Sequence, residues 1–265
     1  MINKKLIEWS QDTYGDLPWR SDNRSLYTTL VSEIMLQQTT VSTVMKKFDG
    51  FLQLFPTIED LAKASEKKVC QAWEGLGYYR RARNLRKAAI SIVEDYDGKF
   101  PLDVGELKKI PGIGDYTANA LLAIGLDKKA LAIDANLERV ISRYYQIDNE
   151  KGPRLQREIQ KQFSDKKILK ELNRYGYRQG HEALMDLGRI FCQAKKVHCH
   201  ICPLSKKCSV YHSNKSPLSL PYVVEKKKSN FHDLFLLRIF VRTKSGLLAY
   251  EKEEGMWIKL SSIKI

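Results

Sequence analysis

Four of the five cysteines in this 265-residue chain fall in one stretch, "FCQAKKVHCHICPLSKKC". Cys192, Cys199, Cys202 and Cys208 are separated by six, two and five residues, so one compact loop can present four thiolates to a single centre. A tetrahedral zinc ion and a cubane iron–sulfur cluster would each accept that donor set. Zinc modules usually bring two close pairs from separate turns. Here one pair is flanked by two lone cysteines, a spacing that favours iron–sulfur. His198 and His200 read as substitute ligands or as solvated loop residues. Lys195, Lys196, Lys206 and Lys207 either meet a phosphate backbone or keep the loop soluble. Cys70, alone in "KKVCQAW", reads as a core residue.

Two carboxylates stand in informative surroundings. On a helix, "SLYTTLVSEIMLQQ" places Leu26, Leu30 and Ile34 on one arc with Glu33 at its edge. The pattern alone makes Glu33 a boundary residue paired with a lysine. Burial would instead raise its pKa and make it a proton donor near neutrality. Asp134 follows the apolar "ALAI" and precedes "ANLERVISRYY", the place of an N-cap. "LKKIPGIGDYTANALLAIG" ends one helix, turns through Pro111, Gly112, Ile113 and Gly114, and starts another at Asp115 or Tyr116. Such glycines let the main chain approach a phosphate, and the N–H groups of the new helix point outward.

The elements that must position these groups are helical. From Leu26 to about Tyr211 apolar residues recur at three and four, with Gly and Pro between the runs. "FPTIEDLAKASEKKVCQAWEGLG" predicts two short helices, the first capped by Thr57 with Asp60; "YYRRARNLRKAAISIVEDYDG" predicts a longer one ended by Gly98. "DYTANALLAIGL", "ANLERVISRYY", "GPRLQREIQKQF" and "GHEALMDLGRIFC" continue the series, without internal repeats. Beyond Cys208, "HSNKSPLSLPYVVEKKKSN" reads as a linker. "LFLLRIFVRTKSGLLAYEKEE" reads as two strands around "TKSG". Two strands alone are marginal in water, so they dock on the helical body or belong to a larger β domain.

With 43% hydrophobic residues the chain can bury one large core or two ordinary ones, which excludes disorder as the default. A formal charge of +14, from 45 Lys+Arg against 31 Asp+Glu, suits a polyanionic partner. The start lacks the apolar core of a signal peptide, and no uncharged apolar run is long enough to span a bilayer. A cytoplasmic, nucleoid-associated bacterial protein is expected, in whose reducing surroundings clustered cysteines bind metal rather than pair.

"LKKIPGIGDYTANA", "AIDANLERVISR" and the cysteine loop, in that order, resemble the helix-hairpin-helix DNA glycosylase superfamily that includes endonuclease III. "LPWR", "SEIMLQQT" and "GLGYYRRARNL" are similar specifically to the MutY-type adenine DNA glycosylases, over roughly residues 5–212. The resemblance implies an all-α helix-hairpin-helix glycosylase fold with a [4Fe–4S] cluster on Cys192, Cys199, Cys202 and Cys208. It implies a six-helix barrel domain over 22–122, a cluster domain from 1–21 and 123–212, a linker over 213–230 and a partial Nudix-like β domain over 231–265. The implied substrate is double-stranded DNA carrying adenine opposite 8-oxoguanine or guanine, bound by a monomer.

The roles carried over are as follows. Glu33 is the acid that protonates adenine at N7. Asp134, supported by Asn136, stabilises the cationic sugar. Tyr116 stands where endonuclease III-like enzymes carry the lysine that forms a Schiff base, so base release without strand cleavage is implied. Gln38 and Tyr78 enter the base stack; Trp19, Arg20, Leu36 and Glu182 line the adenine pocket; Gly112 and Gly114 meet the backbone. The chain ends at Ile265, so most of the β domain that reads 8-oxoguanine is expected to be missing. The rival readings are a thymine glycosylase on T·G mismatches and a non-catalytic DNA-binding protein with structural zinc.

Overall fold

The computed structural model describes residues 1–21, 23–164, 167–223, 241–243 and 246–248. It divides the chain into two units, Met1–Val224 and Glu225–Ile265. The helices are α1 (Lys4–Tyr14), α2 (Leu26–Leu36), α3 (Val41–Met45), α4 (Phe48–Leu54), α5 (Ile58–Lys63), α6 (Glu66–Ala72), α7 (Arg80–Asp95), α8 (Val104–Leu107), α9 (Asp115–Ala120), α10 (Ala135–Tyr145), α11 (Pro153–Ser164), α12 (Lys167–Tyr175) and α13 (Tyr177–Ile190). Their boundaries follow local chemistry. Reciprocal capping boxes open α2 (Ser25 with Thr28) and α5 (Thr57 with Asp60). Gly98, at φ +74°, closes α7 by returning its N–H to the Ile92 carbonyl at 2.9 Å. Sequence periodicity did not resolve α12, whose short run "KILKELNRY" has four charged residues among nine and lies close behind α11.

α2 is the axle of the first unit. It packs on α4, α7, α9 and the turn that follows α9, and Tyr27, Leu30, Val31, Ile34 and Met35 are all buried. Helices α5 and α6 lie on α7, while α1, α10 and α12 gather around α13. After Ala120 the chain continues as a π-helical turn, Leu121–Gly125, that touches both α2 and α13 and so joins the two groups of helices. Gly125 lies close against α2, where a Cβ would sit 2.9 Å from Leu26 Cδ2. Arg178 of α13 ties down the end of the turn, donating to the carbonyls of Ile124 (2.6 Å) and Gly125 (2.8 Å).

The stretch after the cysteine loop packs against the end of α10 and the segment that follows it: Arg143 Nε donates to Leu220 O at 2.8 Å, Lys151 N donates to Tyr222 O at 2.7 Å, and Lys215 pairs with Asp148. In the second unit, β1 (Val241–Thr243) and β2 (Gly246–Leu248) are antiparallel, with Val241 opposite Leu248. The rest of the expected β domain lies outside the described residues. No helix among the described residues is long and apolar enough to cross a membrane.

Candidate active site

A cavity of about 1260 Å³ opens between α2, the α6–α7 loop, α9, the start of α10 and α13. It is lined by Glu33, Asp134, Tyr116, Asn136, Trp19, Arg20, Leu36, Gln38, Tyr78 and Glu182, which the sequence scatters over some 160 positions. Glu33 does not sit at a boundary, because α2 is buried on every side and Glu33 is only 7% exposed. Burial lifts its pKa to about 7. The Tyr116 hydroxyl, donating to Glu33 Oε2 at 2.6 Å, opposes that shift, and the nearby charges of Asp134 and Glu182 add to it. Burial also raises Tyr116 well above the usual phenol range, and the charge of Glu33 adds to this, so the phenol keeps its proton.

Asp134 caps α10, accepting from Leu137 N at 2.7 Å through Oδ1, while Oδ2 accepts from Asn136 Nδ2 at 2.6 Å. Burial raises its pKa, and both bonds pull it back toward the ionised form. The orientation of Asn136 is fixed in turn. Its Oδ1 accepts from Arg139 Nη2 at 2.8 Å, and the same nitrogen donates to Gly188 O at 2.7 Å. A Cβ on Gly188 would lie 2.7 Å from Asn136 Cβ, so α13 approaches this closely only because a glycine faces it. Arg139 and Gly188 carried no signal in the sequence, as each acts through contacts between α10 and α13.

The far wall is a charge network that sequence reasoning missed in part. Buried Asp186 accepts from Ser10 Oγ (2.6 Å), Arg20 Nη1 (2.9 Å) and Arg189 Nη2 (3.2 Å). Glu182 Oε1 accepts from Arg24 Nη1 at 2.5 Å and lies 3.9 Å from Arg20 Nε. Trp19 packs edge-on against Phe48, 5.7 Å between centroids. At the mouth, Gln38 and Tyr78 are both exposed, and both hold a positive φ, +55° and +47°. Tyr78 is 65% exposed, which excludes a core role.

Gly112 and Gly114 do not line the cavity; they form the α8–α9 turn. Gly112 has φ +82° and lies against α7, where a Cβ would meet Asn84 Cβ at 2.8 Å. Gly114 is the N-cap of α9 and a Cβ there would meet nothing. Its glycine is not demanded by the fold, and the space above it is free for a ligand.

Cys192, Cys199, Cys202 and Cys208 line a second, small cavity with Arg143, Phe191 and Val210, and neither His198 nor His200 is among its lining residues. Arg143 is buried (2% exposed), and its Nη1 donates to Cys192 Sγ at 3.3 Å and Gln193 O at 2.8 Å. No carboxylate pairs with it among the described residues. Burial pushes the Cys202 thiol up to about 12 and raises Cys199 and Cys208, and the other thiolates add to each shift. Among the described residues no group of three or more His, Cys, Asp or Glu is arranged to hold a single metal ion. Cys70 is half-buried against the core.

Residues 31–165 match HhH-GPD, the HhH-GPD superfamily of base excision DNA repair proteins. The chain is 34% identical over 251 residues to the adenine DNA glycosylase of Buchnera aphidicola subsp. Schizaphis graminum, covering 94% of this chain and 67% of that one. It is 36% identical over 203 residues to its counterpart in Buchnera aphidicola subsp. Baizongia pistaciae, covering 75% of this chain and 55% of that one. The chain thus spans a little over half to two thirds of the length of these relatives. Among solved structures it is similar to a thermostable thymine-DNA glycosylase, with 31% identity, a TM-score of 0.64, and coverage of 78% of this chain and 94% of that one. On the matched family, the extent of identity and the shared fold, the chain belongs to the HhH-GPD superfamily of base excision DNA repair proteins, among its adenine DNA glycosylases.

Proposed function

We propose that the chain removes adenine opposite 8-oxoguanine or guanine in double-stranded DNA, extruding it into the large cavity and hydrolysing its glycosidic bond. One observation carries this reading: Glu33, with a pKa near 7, shares a cavity with Asp134 and is held by the Tyr116 hydroxyl at 2.6 Å. A base inside a duplex shields its glycosidic bond, so it has to leave the stack first. Glu33 then donates its proton to N7 as the bond from C1′ to N9 breaks and its electron pair goes to the base. Asp134 stays anionic beside the cationic sugar, held by the Leu137 N–H and Asn136. The Glu33 carboxylate takes a proton from water as its oxygen bonds to C1′. Glu182 Oε1 is committed to Arg24, which leaves Oε2 as the acceptor for the exocyclic amine.

Strand cleavage through a Schiff base needs an amine, and no lysine is among the residues that line the cavity. The product is therefore an abasic site. Base release is to be measured on duplexes with A·8-oxoguanine, A·guanine and T·guanine pairs. Adenine release without strand breaks before alkali is expected. Thymine release with adenine untouched would move the chain to the thymine enzymes, and breaks without alkali would contradict the part given to Tyr116.

The four cysteines would hold a [4Fe–4S] cluster. The fit rests on Arg143: a buried guanidinium facing thiols, with no carboxylate partner, suits a cluster whose four thiolates leave a net negative charge. The four cysteines line one small cavity, and their six-two-five spacing favours that cluster over zinc. Its chemistry here would be cross-linking, which ties the loop bearing Lys206 and Lys207 to Cys192 just past the end of α13 and presents those ammonium groups to phosphates. Purified protein is expected to be yellow-brown with about four irons per chain. A colourless protein containing one zinc would refute this.

A further inference from the structure

The two side chains at the cavity mouth share a feature that nothing in their own loops explains. Gln38 and Tyr78 both adopt the left-handed backbone conformation, at φ +55° and +47°. A non-glycine residue stays there only where its surroundings over-determine it. The two lie 40 positions apart, one just past the end of α2 and the other just before α7. A single guanidinium reaches both segments. Arg81 Nη1 donates to the carbonyls of Ile34 (3.0 Å), Met35 (2.9 Å) and Gln37, at the C-terminus of α2. Its Nη2 donates to Thr39 Oγ1 (2.9 Å) and to the carbonyls of Leu76 (2.9 Å) and Gly77 (3.2 Å). The carbonyls that precede Gln38 and those that precede Tyr78 are thus bound by the two amino groups of one rigid plane.

Two further contacts close the assembly. The Arg81 guanidinium lies 5.5 Å from the Trp73 ring centroid and 5.6 Å from that of Tyr78, so the tyrosine ring is held from its own face. Thr39 Oγ1, besides accepting from Arg81, donates to Leu76 O at 3.3 Å, a direct cross-link between the loops. Trp73 Nε1 donates to Gly77 O at 3.1 Å. Every bond Arg81 makes to these loops goes to a backbone carbonyl or to the Thr39 hydroxyl, so the arrangement fixes main-chain geometry whatever the exposed side chains touch.

We infer that Arg81 is a positioning residue that holds Gln38 and Tyr78 as one preformed two-pronged wedge, so that they enter the duplex together when the base leaves. The inference rests on the proposed base extrusion and adds to it what makes the wedge stiff. A preformed wedge meets the duplex with its ordering entropy already lost, whereas separate flexible loops would have to order in the complex. Lysine cannot replace the arginine, since its ammonium is a point donor that cannot span acceptors on two sides.

The test uses the full chain and a duplex with 2-aminopurine, which fluoresces on unstacking, as the target base opposite 8-oxoguanine. The signal is recorded before any base is lost. Arg81→Lys is expected to slow extrusion about tenfold while leaving the pH dependence of base release in place. Thr39→Val keeps the side-chain shape and removes only the hydroxyl, and it is expected to slow extrusion about threefold. Release of adenine from a single-nucleotide bulge, already unstacked, should fall less than twofold or so in either variant. Wild-type extrusion rates in both variants would overturn the inference. So would equal losses on the stacked and bulged substrates, which mark a residue needed only for folding. Failure of the unsubstituted chain to release adenine, with extrusion still visible, would instead overturn the glycosylase reading.

Discussion

Glu33→Gln is expected to release adenine about 10³-fold more slowly than the unsubstituted chain while binding the duplex equally well. Glutamine has nearly the shape of the neutral acid and can still accept from the Tyr116 hydroxyl, now 2.6 Å from Glu33 Oε2, so the cavity keeps its form and loses only the transferable proton. Two pH dependences test whether this carboxyl is the donor. If Glu33 is the proposed donor, its protonated form is the active one, and release should fall as pH rises through about 7. The substitution should abolish that limb. Stability should carry the same sign. Because folding raises the pKa from 4.5 to about 7, the folded chain holds this proton more tightly than the unfolded one. The stabilisation belonging to that proton is complete below 4.5 and lost as pH rises through about 7. Above it, the buried anion costs the native protein about 3 kcal/mol at most. Glutamine carries no such cost. Thermal unfolding should therefore show the variant gaining on the native chain between these two pH values and keeping a constant lead above them. A variant that still turns over, or no divergence in unfolding, would place the acid elsewhere.

Glu33 also marks how far the sequence could be read. Helices with clear caps and stops were legible because their signals are local: Thr57 with Asp60, Gly98 after α7, Asp134 before α10. The burial of Glu33 was not. Periodicity places a residue on a face, and α4, α7, α9 and the π-helical turn pack on α2 so that the face bearing Glu33 meets the cavity and not bulk solvent. The same limit hid Arg81, Arg139, Asp186 and Gly188. Each works through a partner on another helix, and nothing within a few residues of Arg81 announces carbonyls at positions 34–37. The resemblance named residues that line one cavity. It was silent on the arginines that hold them, which only the packing of α7 on α2 and of α13 on α10 reveals.

Asp134 caps α10, and the sugar-stabilising role proposed for it can be separated from the cap. Asp134→Asn keeps the cap, because asparagine accepts from Leu137 N as well as aspartate does. Its amide would, however, face Asn136 Nδ2, and Asn136 cannot turn over because Arg139 already donates to its Oδ1. Donor against donor costs about 1–3 kcal/mol, and the variant should unfold at a correspondingly lower temperature. Asn136→Asp added to it repairs the mismatch. The carboxylate at 136 accepts from the new amide and from Arg139, so the double variant should recover most of the lost stability with the charge of the cavity unchanged. Base release should not recover. If Asp134 acts by placing its charge against the sugar, moving that charge to the neighbouring residue should leave the rate about 10²–10³-fold below native in both variants. Adenine release that returned together with stability would mean that the site needs only a negative field, and that the position of the carboxylate at the head of α10 is an accident of capping.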